Sequence, residues 1–583
     1  MTDGPLDFGT GEPLGRVARV DTNRVIIDVS DHDALRRVTV SNLIAVQGRT
    51  AGEYAIGVVD GVIRAVVETL LEPKEGDSEP VLGEVLRDQV RLVLVGTFWA
   101  RRGSKINAFK RGADTFPQID RDCFLIESTD LQVFMSILAD DIGEDERLQL
   151  GRFVADENAI AIADGNRLFQ RHAALLGSTG AGKSWTVALV LERAARLRHE
   201  NLIVLDVHGE YGPLTREPAG KPIAGGLRIA GPGDLRDPAA DVLFLPYWLL
   251  NREEMLALLM DHSDQDAPNQ AARFTHHVLE LKRENLIRAE QADTAETFTV
   301  DSPIPYDINA LIERLKADDT EQLETGRAGG RAGPYKGKLT RFILRLQSKI
   351  EDRRLGFLFG EPAQQTPYEW MADTVKRLLC SPADAPGVKI IDFSEVPSDV
   401  LPVVSAVLAR TLYDVQFWME PDKRTPLCLV CDEAHLYLPV RESSDATERR
   451  AVDVFERIAK EGRKYGVALL IVSQRPADVS RTILSQCNNF IAMRLTNDQD
   501  QAVVRRLMPD SLAGLTDVMP LLDTGEALVL GDALLLPTRV RFDEPRVKPD
   551  SATRDFWTEW DRDCPDEDAI SKAVESFRRQ MRS

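Results

Sequence analysis

Cysteine is scarce, with 6 in a chain of 583 residues, at positions 123, 380, 428, 431, 487 and 564. Thiols so few and so scattered exclude a disulfide framework and fit a reducing cytoplasm. Long apolar runs are missing too. None approaches the roughly 18–20 residues that span a bilayer, which predicts a cytoplasmic protein without a membrane partner. The opening Met1-Thr-Asp-Gly-Pro-Leu-Asp-Phe has neither the basic nor the apolar segment of a secretory signal, so none is expected. Basic charge is in deficit, with 72 Lys and Arg against 93 Asp and Glu and a net charge of −21. That excludes a uniformly basic nucleic-acid coat. It leaves room for a basic channel inside an acidic shell, because DNA responds to the local field. No histidine cluster points to a transition metal, and there is no internal repeat or low-complexity tract. What remains, 43% hydrophobic and 28% charged, is the composition of a folded, soluble, multi-domain chain.

From 15 to about 125 short β-rich runs alternate with turns. Arg16-Val-Ala-Arg-Val, Arg24-Val-Ile-Ile-Asp-Val and Arg37-Val-Thr-Val alternate apolar with polar residues, and Val90-Arg-Leu-Val-Leu-Val-Gly is a further strand. In Val58-Val-Asp-Gly-Val-Ile-Arg-Ala-Val-Val the Asp60-Gly61 pair is a hairpin signal between two β-branched segments. Strands at this spacing predict a small β-barrel or sandwich over 1–125, without a catalytic constellation.

After about 150 the texture becomes α/β. His172-Ala-Ala-Leu-Leu-Gly leads into a Gly-rich loop and a helical pattern from Lys183 to about Arg198. The apolar runs Asn201-Leu-Ile-Val-Leu-Asp, Val388-Lys-Ile-Ile-Asp-Phe, Leu427-Cys-Leu-Val-Cys-Asp and Val467-Ala-Leu-Leu-Ile-Val-Ser follow. Near-continuous apolar strands alternating with helices predict a parallel sheet covered on both faces. Residues 251–380 read as a helical insertion that divides this α/β core into 150–250 and 385–545. Residues 546–583 form a charged tail that ends in the amphipathic Ala569-Ile-Ser-Lys-Ala-Val-Glu-Ser-Phe.

Gly177-Ser-Thr-Gly-Ala-Gly-Lys-Ser184 is a full match to G-x-x-x-x-G-K-[ST], with a strand before it and a helix after it. Its glycines let the backbone wrap phosphates, so that loop N–H groups and the helix N-terminus face the anion. The nucleotide-binding candidates are therefore Gly177, Ser178, Thr179, Gly180, Ala181, Gly182, Lys183, Ser184 and Trp185. Lys183 reaches the β- and γ-phosphates of ATP and Ser184 ligates Mg²⁺ in this arrangement. The second signal is Leu427-Cys-Leu-Val-Cys-Asp-Glu-Ala-His435, an apolar strand that delivers two carboxylates to the ligand-binding edge of a parallel sheet. Asp432 is the candidate second holder of Mg²⁺, and Glu433 the general base for an attacking water. Cys428 and Cys431 lie inside this strand without a second ligand pair, so they read as core thiols.

Ser473-Gln-Arg-Pro476 closes the next apolar strand and makes Gln474 a candidate sensor of the γ-phosphate and the lytic water; the plain alternative is a strand-end turn. In Lys460-Glu-Gly-Arg-Lys-Tyr-Gly466, Arg463 or Lys464 is a candidate finger for a neighbouring subunit's nucleotide, with Arg457 and Arg475 as contenders. A solvated basic helix end is the alternative there. Asp206-Val-His-Gly-Glu-Tyr211 ends the strand after the P-loop helix. Glu210 is a candidate to orient water or couple nucleotide state to DNA, against a simple turn stabilised by Asp206. For a polymer ligand, the stretch from Gly326 to Ile350 holds Lys or Arg at 327, 331, 336, 338, 341, 345 and 349 and no Asp or Glu. In an acidic chain that local reversal marks Arg327, Arg331, Lys336 and Lys338 as candidate DNA contacts, the alternative being a solvated surface loop. Arg101-Arg102-Gly-Ser-Lys105 and Lys110-Arg111 are weaker basic clusters.

The order of these motifs, closed by Gly525-Glu-Ala-Leu-Val-Leu-Gly, resembles HerA, the DNA translocase of the HerA–FtsK branch of RecA-like ATPases. The resemblance implies a RecA-like P-loop ATPase core using ATP and Mg²⁺, preceded by an N-terminal HAS barrel for assembly and partner docking. It implies a homohexameric ring that pumps double-stranded DNA. The implied site residues are Lys183 and Ser184, Asp432 and Glu433 as Walker B, Gln474 as sensor and Arg463 as the trans finger. Implied partners are a nuclease such as NurA, or a defence effector, either a nuclease or a sirtuin-like NADase. Two rival readings are an ATP-switched platform that activates an effector, and a secretion- or conjugation-type ATPase, against which the missing membrane anchor counts.

Overall fold

The computed structural model describes residues 4–71, 81–112, 116–140, 142–197, 200–216, 221–260, 264–323, 331–382, 385–444, 446–551, 554–561 and 566–579. The chain divides into two compact units, one of residues 1–197, 470–477 and 484–546 and one of residues 198–469, 478–483 and 547–583.

The first unit opens with an antiparallel sheet of seven strands in the order Arg24–Val29, Gly15–Asp21, Asp122–Ile126, Leu43–Gln47, Glu53–Leu71, Val81–Arg102 and Lys105–Arg111. Arg24–Val29 also pairs with Val81–Arg102, from Arg24 opposite Val93 to Val29 opposite Asp88, so the circuit of pairings returns to its start. Alternation places Val25, Ile27, Val29, Ile44, Val46, Val90 and Leu92 in one buried cluster. Two local expectations are corrected. Asp60-Gly61 does not turn the chain: the Glu53–Leu71 strand continues through it, with a register shift between Val59 and Gly61. Gly61 serves a β-bulge, where a Cβ would come within 3.0 Å of the Arg91 guanidinium, and the buried Asp60 carboxylate lies 3.5 Å from Arg91. Arg37 ends a helix, His32–Arg37, rather than starting a strand. Asp31 caps that helix by accepting from Asp33 N–H, and Arg36 and Arg37 sit at its negative end.

Within the same unit the short strand Ala173–Leu176 lies parallel between Leu470–Ser473 of the Val467–Ser473 strand and Asn489–Met493. From Asn489–Met493 the sheet continues antiparallel through Glu526–Gly531, Thr538–Phe542, Arg147–Phe153 and Asp156–Asp164. The helix after the Gly-rich loop is Lys183–Ala194, shorter than its pattern predicted. Its end tightens, with Leu197 N–H bonded to Ala194 O, three residues back.

The second unit holds parallel strands in the order Val242–Leu243, Ala224–Ile229, Val388–Asp392, Leu202–Asp206 and Leu427–Cys431. Leu202–Asp206 and Leu427–Cys431 are buried at every position, as strands covered on both faces must be. Between Arg252 and Leu379 the described residues are mainly helical. The Ala267–Arg288 helix buries Phe274, Val278, Leu281 and Leu286, and Phe274 meets Phe342 of the Thr340–Glu351 helix edge to face. The tail helix Glu567–Arg579 buries none of its described side chains.

Candidate active site

The loop between Ala173–Leu176 and Lys183–Ala194 is held in shape from outside. Ser178 N–H donates to Arg494 O at 2.8 Å, Gly525 N–H to Ala181 O at 3.0 Å, and Thr524 Oγ1 to Gly180 O at 3.2 Å. Gly182 takes φ +101°, and a Cβ there would meet the Gly525 nitrogen at 3.1 Å, so position 182 requires glycine. A helix leaves the N–H groups of its first turn without carbonyl partners of its own, and beside such a loop they form an anion site. Lys183 is buried, with Nζ 3.3 Å from Ser178 O. Ser184 and Trp185 occupy the same first turn, both half-buried. Gln474, at the end of the Val467–Ser473 strand, accepts a 2.6 Å hydrogen bond from Thr179 Oγ1. The structure therefore brings the sensor candidate onto the loop itself.

In the second unit, neighbouring parallel strands end in acids. Asp206 stands opposite Asp392, and Leu205 opposite Cys431, which carries Asp432 and Glu433 to the same edge. Asp206 is fully buried and accepts the N–H groups of Glu210 at 3.0 Å and Tyr211 at 2.9 Å. Burial raises its carboxyl to about 6, against those hydrogen bonds, which lower it. Asp432 is pushed well above the ordinary carboxylate range by burial and then by Glu433, Asp206 and Glu210. Glu433 has φ 44° and ψ 46°, and its Oε2 lies 3.2 Å from His435 Nδ1. Carboxylates gathered in a low dielectric favour a divalent cation, and hard oxygen donors suit Mg²⁺. Sequence reading missed Asp392 and Tyr211 as members of this cluster. Both stand in quoted motifs, yet only the strand register sets Asp392 opposite Asp206 and brings the Tyr211 turn to the edge that carries Asp432.

Arg463 is exposed in the turn Gly462–Tyr465 and, with Lys460, Glu461, Lys464 and Tyr465, lines an open cavity of about 570 Å³. Its contender Arg457 is engaged, 3.8 Å from Glu461 and 3.9 Å from Asp414, with the guanidinium 4.9 Å from the Tyr413 ring. Lys336 is exposed, and Lys338 donates from Nζ to Pro334 O at 2.9 Å. Arg331 lies in a two-residue strand paired with Gln322–Leu323; its side chain and all of Arg327 fall outside the described residues. Arg111 binds Asp532 at 3.0 Å and Gly531 O at 2.9 Å, which commits it to structure rather than to a phosphate backbone. Cys428 and Cys431 are buried, and burial lifts the Cys431 thiol to about 12. The histidines do gather at one point: ligand atoms of His276, His277 and Glu280 lie within 4.8 Å of one another. His277 is already paired there, with Nε2 2.7 Å from Asp318, which also accepts from Arg273 Nε at 2.6 Å.

Residues 148–412 match the sequence profile of the helicase HerA central domain. This stretch of the chain is similar to the HerA central domain. The match takes in the phosphate loop and the Asp206–Tyr211 turn, while Asp432, Glu433 and Gln474 lie beyond it. A probable helicase of Methanocaldococcus jannaschii is 27% identical over 402 residues, covering 68% of this chain and 67% of that protein. The DNA double-strand break repair helicase HerA of Sulfolobus acidocaldarius is 26% identical over 397 residues, covering 67% and 68% respectively. Among solved structures, VirB4 of Thermoanaerobacter pseudethanolicus is similar with a TM-score of 0.45 and 15% identity, over 69% of this chain and 97% of that one. The matched stretch begins in the antiparallel strands after residue 147 and runs through the helical region into the Leu401–Trp418 helix.

Proposed function

We propose that this chain is an ATP-dependent translocase of double-stranded DNA, working as a homohexameric ring with a partner nuclease or defence effector. The carrying observation is the preorganised phosphate loop with Gln474 bonded to it, in a chain whose neighbouring strands end in Asp206, Asp432 and Glu433. An ATP-hydrolysing enzyme needs those two parts, one to hold phosphates and one to activate water.

In this reading Lys183 and the loop N–H groups from Gly177 to Trp185 hold the β- and γ-phosphates. Ser184 and Asp432 are the residues to hold Mg²⁺, which when bound neutralises charge on the phosphates. Glu433 takes the proton of the attacking water, and Gln474 reads whether the γ-phosphate is present. Arg463, exposed on its turn, reaches the nucleotide of the adjoining subunit. Lys336 and Lys338, with Arg327 and Arg331, track the DNA backbone without reading sequence. The β-rich N-terminal domain serves assembly and partner docking. No helix among the described residues is long and apolar enough to cross a membrane.

The test is steady-state ATP hydrolysis with and without linear duplex DNA, for wild type and Glu433→Gln. Several-fold stimulation by DNA in the wild type alone is expected. Turnover indifferent to DNA would instead favour a platform that uses ATP as a switch for its effector.

A further inference from the structure

The side chain of Tyr211 is fully buried, and its hydroxyl has no hydrogen-bond partner among the described residues. The residue closes the turn after the Leu202–Asp206 strand, where its own N–H and that of Glu210 are spent on the Asp206 carboxylate. The parallel pairing of Leu202–Asp206 with Leu427–Cys431 brings the Asp206–Tyr211 turn and Asp432 to one edge of the sheet. Burial first, and then the charges of Asp432, Asp206, Glu210 and Glu433, hold the phenol well above its ordinary range. Asp206, Asp432 and Glu433 at that edge are themselves buried.

A buried hydroxyl left unsatisfied is costly, and so is a buried cluster of carboxylates without a counter-charge. One ligand answers both. A hard divalent cation such as Mg²⁺ is held by one or two carboxylates and keeps several of its waters, which are strong hydrogen-bonding groups. We propose that Tyr211 Oη hydrogen-bonds to the hydration shell of the divalent cation bound at Asp432, making Tyr211 a positioning residue for that cation. The inference rests on the nucleotide-hydrolysis reading and adds to it a residue from the turn of the neighbouring strand.

Tyr211→Phe removes one oxygen and keeps the packed ring. In the full-length protein, Mn²⁺ is titrated in the presence of ADP and followed by electron paramagnetic resonance. Affinity for a fluorescent ADP analogue is measured in EDTA, and Tm is recorded for both proteins. The expected result is an about tenfold weaker affinity for Mn²⁺ in Tyr211→Phe, with nucleotide affinity in EDTA and Tm unchanged. Equal Mn²⁺ affinities overturn the inference, as does a loss of Mn²⁺ affinity that comes with an equal loss of Tm. A wild-type protein that binds no nucleotide at all overturns the underlying reading instead, which separates the two failures.

Discussion

Glu433 occupies a left-handed backbone conformation, at φ 44° and ψ 46°, that costs an ordinary side chain about 1–2 kcal/mol. Such strain persists only where the surroundings over-determine it. Here the Leu427–Cys431 strand passes into the short turn Ala434–Leu436, and His435 Nδ1 lies 3.2 Å from the Glu433 carboxylate. Glu433→Gln keeps the size of the side chain and removes its proton affinity. Its kcat is expected to fall by about 10²–10⁴, with ATP affinity unchanged, as checked by steady-state hydrolysis beside nucleotide binding. Lys183 and Ser184 could be proposed from the sequence because a phosphate loop needs its residues contiguous. Tyr211 could not, since its importance comes from a strand partner more than two hundred positions away in the chain.

Buried ionic groups fasten the helices of the second unit. Arg410, on the Leu401–Trp418 helix, donates to both oxygens of Glu254 at 2.7 and 2.8 Å and to Leu249 O at 2.7 Å. Glu254 also completes a capping box with Asn251 at the start of the Arg252–Leu259 helix, so one carboxylate serves a helix end and a helix-to-helix tie. Arg410→Ala leaves that acid buried without its cation. A loss of about 3–5 kcal/mol is expected in chemical denaturation. Lys282, on the Ala267–Arg288 helix, donates to Val300 O at 2.7 Å and Ser302 O at 2.6 Å. Burial lowers its ammonium to about 8. A lysine depressed in the folded state binds fewer protons there than when unfolded, so its contribution to stability is present above the unfolded value and lost as pH falls through about 8. Wild type should therefore gain stability relative to Lys282→Met as pH rises from 8 toward 10.5, measured as Tm against pH. Neither tie could be read beforehand, because a charged residue inside a helical pattern looks the same whether it faces solvent or a carbonyl.

For the whole molecule, the proposed ring makes each hydrolysis event depend on two subunits. Arg457 is held by Asp414, Glu461 and Tyr413, whereas Arg463 stands exposed beside a cavity, and that contrast favours Arg463 over Arg457 for the proposed finger. Arg463→Ala and Glu433→Gln should each be inactive alone. Mixed, they should recover part of the ATPase activity, because an intact Glu433 in one subunit can meet an intact Arg463 from its neighbour. Recovery on mixing, measured by ATP turnover at constant total protein, is the expected outcome; a mixture as inactive as its components would place the finger elsewhere.

The sequence by itself determined the chemistry that depends on local spacing. A contiguous Gly-rich loop, an apolar strand ending in Asp-Glu and the α/β texture around them need no knowledge of distant partners, because one element supplies every group. It also determined alternation in the N-terminal strands, but not how they pair: Asp60-Gly61 looked like a turn and became a bulge, since a two-residue hairpin signal is weaker than a long antiparallel partner in register. The tertiary structure alone decided which acids share an edge, which arginines are already committed, and that the Tyr211 hydroxyl is buried. Those facts follow from strand order and register, and these are set by how whole faces bury rather than by any short run of residues.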